Sequence, residues 1–277
     1  MPVRGDGKGQ GVLAHAAALA RRHGAHVTVL HCRARAGDMM PYGVPVPALV
    51  RRQIEESAAS LADEEERALR TEFAELLPRF GLTEREAAPG EGPSASWREA
   101  EGRQIDVIRT HGRLADIVCV AKPDRDRNLG ANTLKAALFA TGRPVMMCPP
   151  SDPSDTLGSH VAIGWNGSLE AARATGLGRP LLTGADRVTV LTAGEEPHGA
   201  TAEGLVAKLG LLGVAAELVR FEPTGGIGRS LLEQAAAAGA DTLLMGAYHD
   251  SREQETVFGG NTQTVVDTAM MPVVLVH

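Results

Sequence analysis

Apolar residues along this chain fall into short, nearly continuous runs: His26–Leu30, Asp116–Ala121, Val145–Cys148, Val161–Gly164, Val188–Leu191, Ala216–Phe221, Thr242–Gly246 and Val273–Val276. Runs that do not alternate with polar residues read as strands covered on both faces, the habit of parallel sheets. Between them lie stretches with helical spacing: Gly11–His23, Gly167–Leu182, Leu205–Leu212 and Gly226–Ala238. The longest, Pro47–Phe80, sets Val50, Ile54, Ala58, Leu61, Leu69, Phe73, Leu76 and Phe80 mostly three or four apart. Gly81 is placed to end it in the left-handed conformation. Its charged cluster Asp63–Arg67 reads as a solvated face.

The runs repeat. Val27–Leu30 (VTVL) recurs as Val188–Leu191, an offset of 161, and a helical stretch opening near glycine precedes each copy. Gly112–Asp116 before IVCVA parallels Gly239–Asp241 before TLLMG, at offset 125. Arg143–Cys148 parallels Met271–Val276, at offset 128. The shared order predicts a duplicated α/β domain, 1–150 and 159–277, with the Ser-, Pro- and Asp-rich stretch Pro149–Gly158 as linker. The fall from 161 to 125 places about 36 extra residues in the first half, most of them in the long helix. By the same repeat, Met1–Val3 corresponds to the end of a first strand. The repeat thus leaves two expectations, that most of that strand is missing or that the start codon is placed too late, and the second is preferred.

Composition narrows the function. With 277 residues, 43% hydrophobic and 22% charged, either half can bury its own core. A net charge of −6 and 3% aromatic content argue against a nucleic-acid partner, which calls for a basic face or stacking platforms. No apolar run approaches the ~18–20 residues of a membrane helix, and the N-terminus has no apolar signal core. A cytoplasmic location without membrane contact is the expectation. Cys32, Cys119 and Cys148 read as free thiols, mostly buried, and neither they nor the scattered histidines have metal-site spacing.

The last thirty-odd residues carry the candidate chemistry. Asp241–Gly246 ends in glycine, a polar loop Ala247–Phe258 follows, and Gly259, Gly260, Asn261 and Thr262 open a helix before the closing strand. Glycine-headed helix N-termini present bare backbone N–H groups that bind anions. No lysine of the P-loop type follows, so this is not a P-loop NTPase. His249 and Asp250 are neighbours, but no nucleophile is placed beside them, and catalysis is not expected.

These residues resemble the universal stress protein family in its tandem form, over essentially the whole chain. Its signature is Gly, two residues, Gly, nine residues, then Gly followed by a small or hydroxyl residue, with a Pro-Val-rich last strand. Gly246 and Gly259 match the outer glycines, Ser251-Arg252 and Gly259-Gly260 resemble the segment around the last, and His249 replaces the middle one. The family's nucleotide-binding members carry Asp before Gly-Ser after the first strand; here the residues are Asn166-Gly167-Ser168. In the first half Ala121 and Asp124 replace the first two glycines, Gly130 follows after five residues, and Arg4 stands at the strand-one Asp position.

The resemblance implies two tandem Rossmann-like domains of the adenine nucleotide α-hydrolase type, packed as a pseudo-dimer, with Val145–Cys148 and Val273–Val276 pairing within the chain. It also implies an adenine nucleotide, ATP with Mg, in the second half. Gly246, His249, Gly259, Gly260, Asn261 and Thr262 would lie at the phosphates, with Asn166 and Ala193 near the base or ribose. Trp165 reads as core packing, and Ser168 as a cap. The first half is expected to hold no nucleotide, and Lys122, Arg125 and Arg127 to form a solvated basic loop. The alternatives are an interaction module without ligand, acting on a protein partner or as a homodimer, and a slow ATPase or ATP-dependent switch. An adenylating enzyme would need a serine-rich loop that Asn166–Ser168 is too short to supply.

Overall fold

A computed structural model describes residues 1–3, 7–33, 47–87, 90–194, 199–247 and 260–277, apart from the side chains of 51, 53–59 and 61. The first half runs β1 (Pro2–Val3), α1 (Gly9–His23), β2 (His26–Arg33), α2 (Ala48–Arg79), β3 (Thr83–Glu84), β4 (Ser94–Glu101), α3 (Gln104–Gly112), β5 (Val118–Ala121), α4 (Ala131–Ala140) and β6 (Val145–Cys148). The second runs β7 (His160–Gly164), α5 (Leu169–Leu177), α6 (Arg179–Thr183), β8 (Arg187–Ala193), α7 (Ala202–Leu211), β9 (Ala216–Phe221), α8 (Ile227–Ala237), β10 (Thr242–Gly246), α9 (Gly260–Thr268) and β11 (Val273–Val276).

The apolar runs are strands, and all but His26–Leu30 build a seven-stranded sheet in the order β5-β6-β11-β10-β7-β8-β9. All its neighbours are parallel except β6 and β11, which pair antiparallel with Met146 opposite Val274. That pairing is the seam of the pseudo-dimer, formed inside one chain as the resemblance implies. It also covers two apolar strand edges that would otherwise template aggregation. Helices clothe both faces. One core cluster joins α1 and α2 to α5, α6 and α7, the other joins α3 and α4 to α8 and α9, so each cluster draws on both halves. At the seam Val145, Met147, Val274 and Leu275 are fully buried.

The first half departs from its copy. Its β1 pairs with β2 but not with β5, so β1-β2-β4-β3 form a separate four-stranded parallel sheet. A cavity of about 150 Å³ lies in the gap, lined by Met1, Thr28 and Val118 among others. β4 has no apolar run: SASWREAE buries Ser94, Ala95 and Ser96 and exposes much of its later part, so the apolar pattern misses it. α2 is anchored by its C-terminal half, where Phe73, Leu76 and Leu77 are buried while Leu49 and Val50 are exposed. Gly81, with φ 68°, ends it as expected.

Two local expectations need correction. The cluster on α2 is not wholly a solvated face, because Asp63 and Glu66 clasp Arg33 of β2. The stretch Gly167–Leu182 is two helices. Gly178 separates α5 from α6, and a Cβ there would lie 2.7 Å from the Ala174 carbonyl oxygen and from Leu244. The linker end is fixed by Asp241. Its carboxylate accepts from the N–H groups of Gly158, Ser159 and His160 and from the hydroxyls of Ser159 and Thr242.

Candidate functional site

The second half has strand order β11-β10-β7-β8-β9, so the chain leaves β7 toward β8 and returns on its other side at β10. In open α/β sheets the crevice at the carboxyl ends of such a strand pair is the place for ligands. Gly164, Ala193 and Gly246 end β7, β8 and β10, and Gly260–Thr262 open α9 after β10. The structure thus brings Asn166, Ala193, Gly246, Gly260, Asn261 and Thr262 to one edge of the sheet. His249, Asp250, Ser251, Arg252 and Gly259 lie outside the described residues, as does Arg4.

Each position has its own local reason. Gly260 and Asn261 are exposed, and among the described residues a Cβ on Gly260 would meet nothing within 4 Å. The first N–H groups of a helix have no partner within it, and they are what an anion would meet. Thr262 turns inward and is buried. The backbone carbonyl of Asn261 packs against Gly228 of α8, where a Cβ would come within 2.5 Å, and this close approach holds α9 in place.

Around β7 the groups are occupied. Asn166 is exposed, yet its Oδ1 accepts the Ser168 N–H at 3.1 Å. Ser168 is buried and caps α5 by accepting the Ala171 N–H at 3.2 Å. Trp165 is buried in the core and its Nε1 donates to the Ala200 carbonyl at 2.9 Å, pinning the segment that leads into α7. Gly246 serves packing: a Cβ there would lie 2.5 Å from the backbone of Glu170 and Ala171, so only glycine lets α5 cross the end of β10. Sequence spacing could not separate that duty from phosphate binding.

The first half fills the same place differently. A cavity of about 440 Å³ lies at the ends of β5 and β6, lined by Lys8, Gly11, Lys122, Asp124, Arg125 and Asp267 among others. The loop after β5 closes on itself through paired backbone bonds between Asp124 and Leu129. The Asp124 carboxylate accepts the Arg127 N–H at 3.2 Å and pairs with Lys8 at 3.3 Å. The Arg127 N–H and the Lys8 ammonium hold its pKa below the ordinary carboxylate range. A negative group of the protein thus sits among the donors that an incoming anion would use.

The basic loop is not freely solvated. Lys122 donates from Nζ to the Ala269 carbonyl at 2.8 Å, and Arg125 pairs with Asp267 at 2.7 Å. Both contacts reach the second half, which is why position within the loop could not foretell them. Burial pushes the Cys119 thiol up to about 11 and raises Cys148 as well, so both are poor nucleophiles. Among the described residues, no group of three or more His, Cys, Asp and Glu side chains is arranged to hold a metal ion, and no helix is long and apolar enough to cross a membrane.

Comparison with solved structures matches this architecture. A universal stress protein from Archaeoglobus fulgidus superposes with a TM-score of 0.72 at 13% identity, over 99% of this chain and 94% of that one. The fold is that of a tandem universal stress protein. A putative universal stress protein from Pseudomonas aeruginosa matches at TM-score 0.54 and 17% identity, over 95% of this chain and 87% of the other. A functionally unknown protein from the same species matches at TM-score 0.54 and 16% identity, over 95% and 86%. At these identities the likeness is one of fold. No protein-family model matches the sequence, and no curated protein matches it.

Proposed function

We propose that this chain is a non-catalytic stress-response protein that binds an adenine nucleotide, ATP with Mg, in its second half. The observation that carries this reading is the head of α9. Gly260 and Asn261 open that helix as exposed residues at the switch point of a parallel sheet, in a universal stress protein fold. Gly260, Asn261 and Thr262 would meet the phosphates, with Gly259 and His249 of the adjoining loop assigned to the same contact by spacing. Asn166 and Ala193 would bound the base and ribose. The action is binding, with no turnover, in the cytoplasm. Residues 1–150 and 159–277 act as two units of one pseudo-dimer.

Equilibrium dialysis with labelled ATP tests the reading on the wild-type chain and on Gly260→Asp. Among the described residues a Cβ at position 260 meets nothing within 4 Å, and the carboxylate would repel phosphate. Binding by the wild type that falls at least roughly tenfold in the variant, with the melting temperature unchanged, is the expected result. Equal affinity in both proteins would refute the placement, and no affinity in either would refute the nucleotide.

A second reading has its own support. Gly246 is explained by packing against α5, and the Asn166 side chain is engaged by Ser168. Both features would persist in an interaction module that binds no small ligand and acts on a protein partner.

A further inference from the structure

The helix that heads the candidate site ends badly by its own sequence. α9 has no basic residue in its last turn, and Asp267 lies there. The last carbonyls of a helix carry partial negative charge, so a carboxylate beside them is unfavourable and a cation is favourable. Gln263 donates to Asp267 at 2.7 Å but brings no charge. The charge comes instead from the other half. Lys122 reaches across 147 positions of sequence to donate to Ala269, the residue after the helix, and Arg125 pairs with Asp267 itself.

Lys122 is held firmly enough to act on the helix, while Arg125 reaches Asp267 from the surface. The Lys122 N–H donates to the Cys148 carbonyl at 2.7 Å, tying the loop to the end of β6 beside the seam. The Asp124–Leu129 bridge closes the loop behind it. Desolvation draws the Lys122 pKa below the ordinary lysine value, with Asp267 opposing the shift, as expected of an ammonium partly withdrawn from water into this contact. A nine-residue helix is a short rod, about 13 Å long, so a hold on its last turn, together with the Asn261 contact to Gly228, sets where its first turn points.

We infer that Lys122 and Arg125 are positioning residues for the second-half site: the half without a nucleotide signature clamps α9 and thereby tunes the affinity of the half that has one. The affinity part rests on the nucleotide reading above; the clamp part does not. Hydrogen exchange on the ligand-free, full-length chain therefore comes first, followed by ATP titration of the same proteins. Lys122→Met and Arg125→Gln should each speed exchange of the α9 amides roughly threefold to tenfold, leaving β7 and β8 unchanged. Lys122→Arg should restore protection. Arg143→Gln, which removes only a contact to the Arg113 carbonyl, should leave α9 as it is. ATP affinity should weaken by a similar factor in the first two variants and recover in Lys122→Arg. Unchanged α9 exchange in both variants, or acceleration spread evenly over the chain, overturns the clamp. A wild-type chain that takes no ATP overturns the nucleotide reading and the tuning with it, while the exchange data still decide the clamp.

Discussion

The loop after β5 and the head of α9 both lie beyond the carboxyl ends of corresponding strands, β5 and β10, and they present different groups there. In the first, Ala121–Gly130 is a tight, self-bonded turn whose Asp124 takes up Lys8 and a backbone N–H. In the second, a helix opens on exposed Gly260 and Asn261. The contrast shows that two copies of one fold can place different groups at the same strand end: in the first half a carboxylate takes up Lys8, and Lys122 and Arg125 reach into the neighbouring half.

The sharpest way to probe this divergence is at the opposite end of the sheets, where the copies also differ. Asp241 gathers three backbone N–H groups and two hydroxyls, whereas its counterpart Asp116 is exposed. Asp241→Ala should cost about 2–4 kcal/mol in denaturant unfolding, because buried donors are left unpaired. Asp116→Ala should stay within about 0.5 kcal/mol. Equal costs would mean that the linker end is not fixed by that carboxylate.

A smaller effect separates the two helix heads. Gly130, the residue before α4, has φ 86° and a Cβ there would crowd the Pro123 backbone at 3.3 Å, while Gly260, the first residue of α9, meets neither constraint among the described residues. Gly130→Ala should destabilise by about 1–2 kcal/mol, and Gly260→Ala by no more than about 0.5 kcal/mol. Matching losses in thermal melts would contradict the closed-against-open description.

The smallest effect per group is acid sensitivity, and it should be lopsided. His15, His23, His26 and His31 all lie in the first half, and burial lowers the pKa of each below the ordinary 6.5. The folded chain then binds fewer protons than the unfolded one. Their stabilising contribution is complete above pH 6.5 and is lost as the pH falls below it toward the folded values. Hydrogen exchange at about pH 7.5 and about pH 5.5, corrected for intrinsic rates, should show first-half amides losing more protection than those of β7–β10. Uniform loss would remove the histidines as its cause.

Much of this was legible in the residues. The VTVL repeats lie within β2 and β8, and the Pro-Val runs include β6 and β11, because buried parallel strands must be apolar on both faces. β4 was illegible for the converse reason: with polar residues at Ser94, Ser96 and Arg98 it has no apolar run to read. The break at Gly178 depends on Leu244 in a distant strand, and the need for glycine at 246 depends on α5. Contacts of that kind are made by the assembled sheet and leave no periodic trace. The same holds for Lys122 and Arg125, whose partners lie across the chain.

The antiparallel junction of β6 with β11 has a lasting implication for how such a molecule can change. Two separate subunits built from one gene must carry identical grooves, so damage to one is damage to both. Here the partners are consecutive stretches of a single polypeptide and cannot exchange mates. Each is free to accumulate its own substitutions, and a division of labour, once begun, is inherited intact.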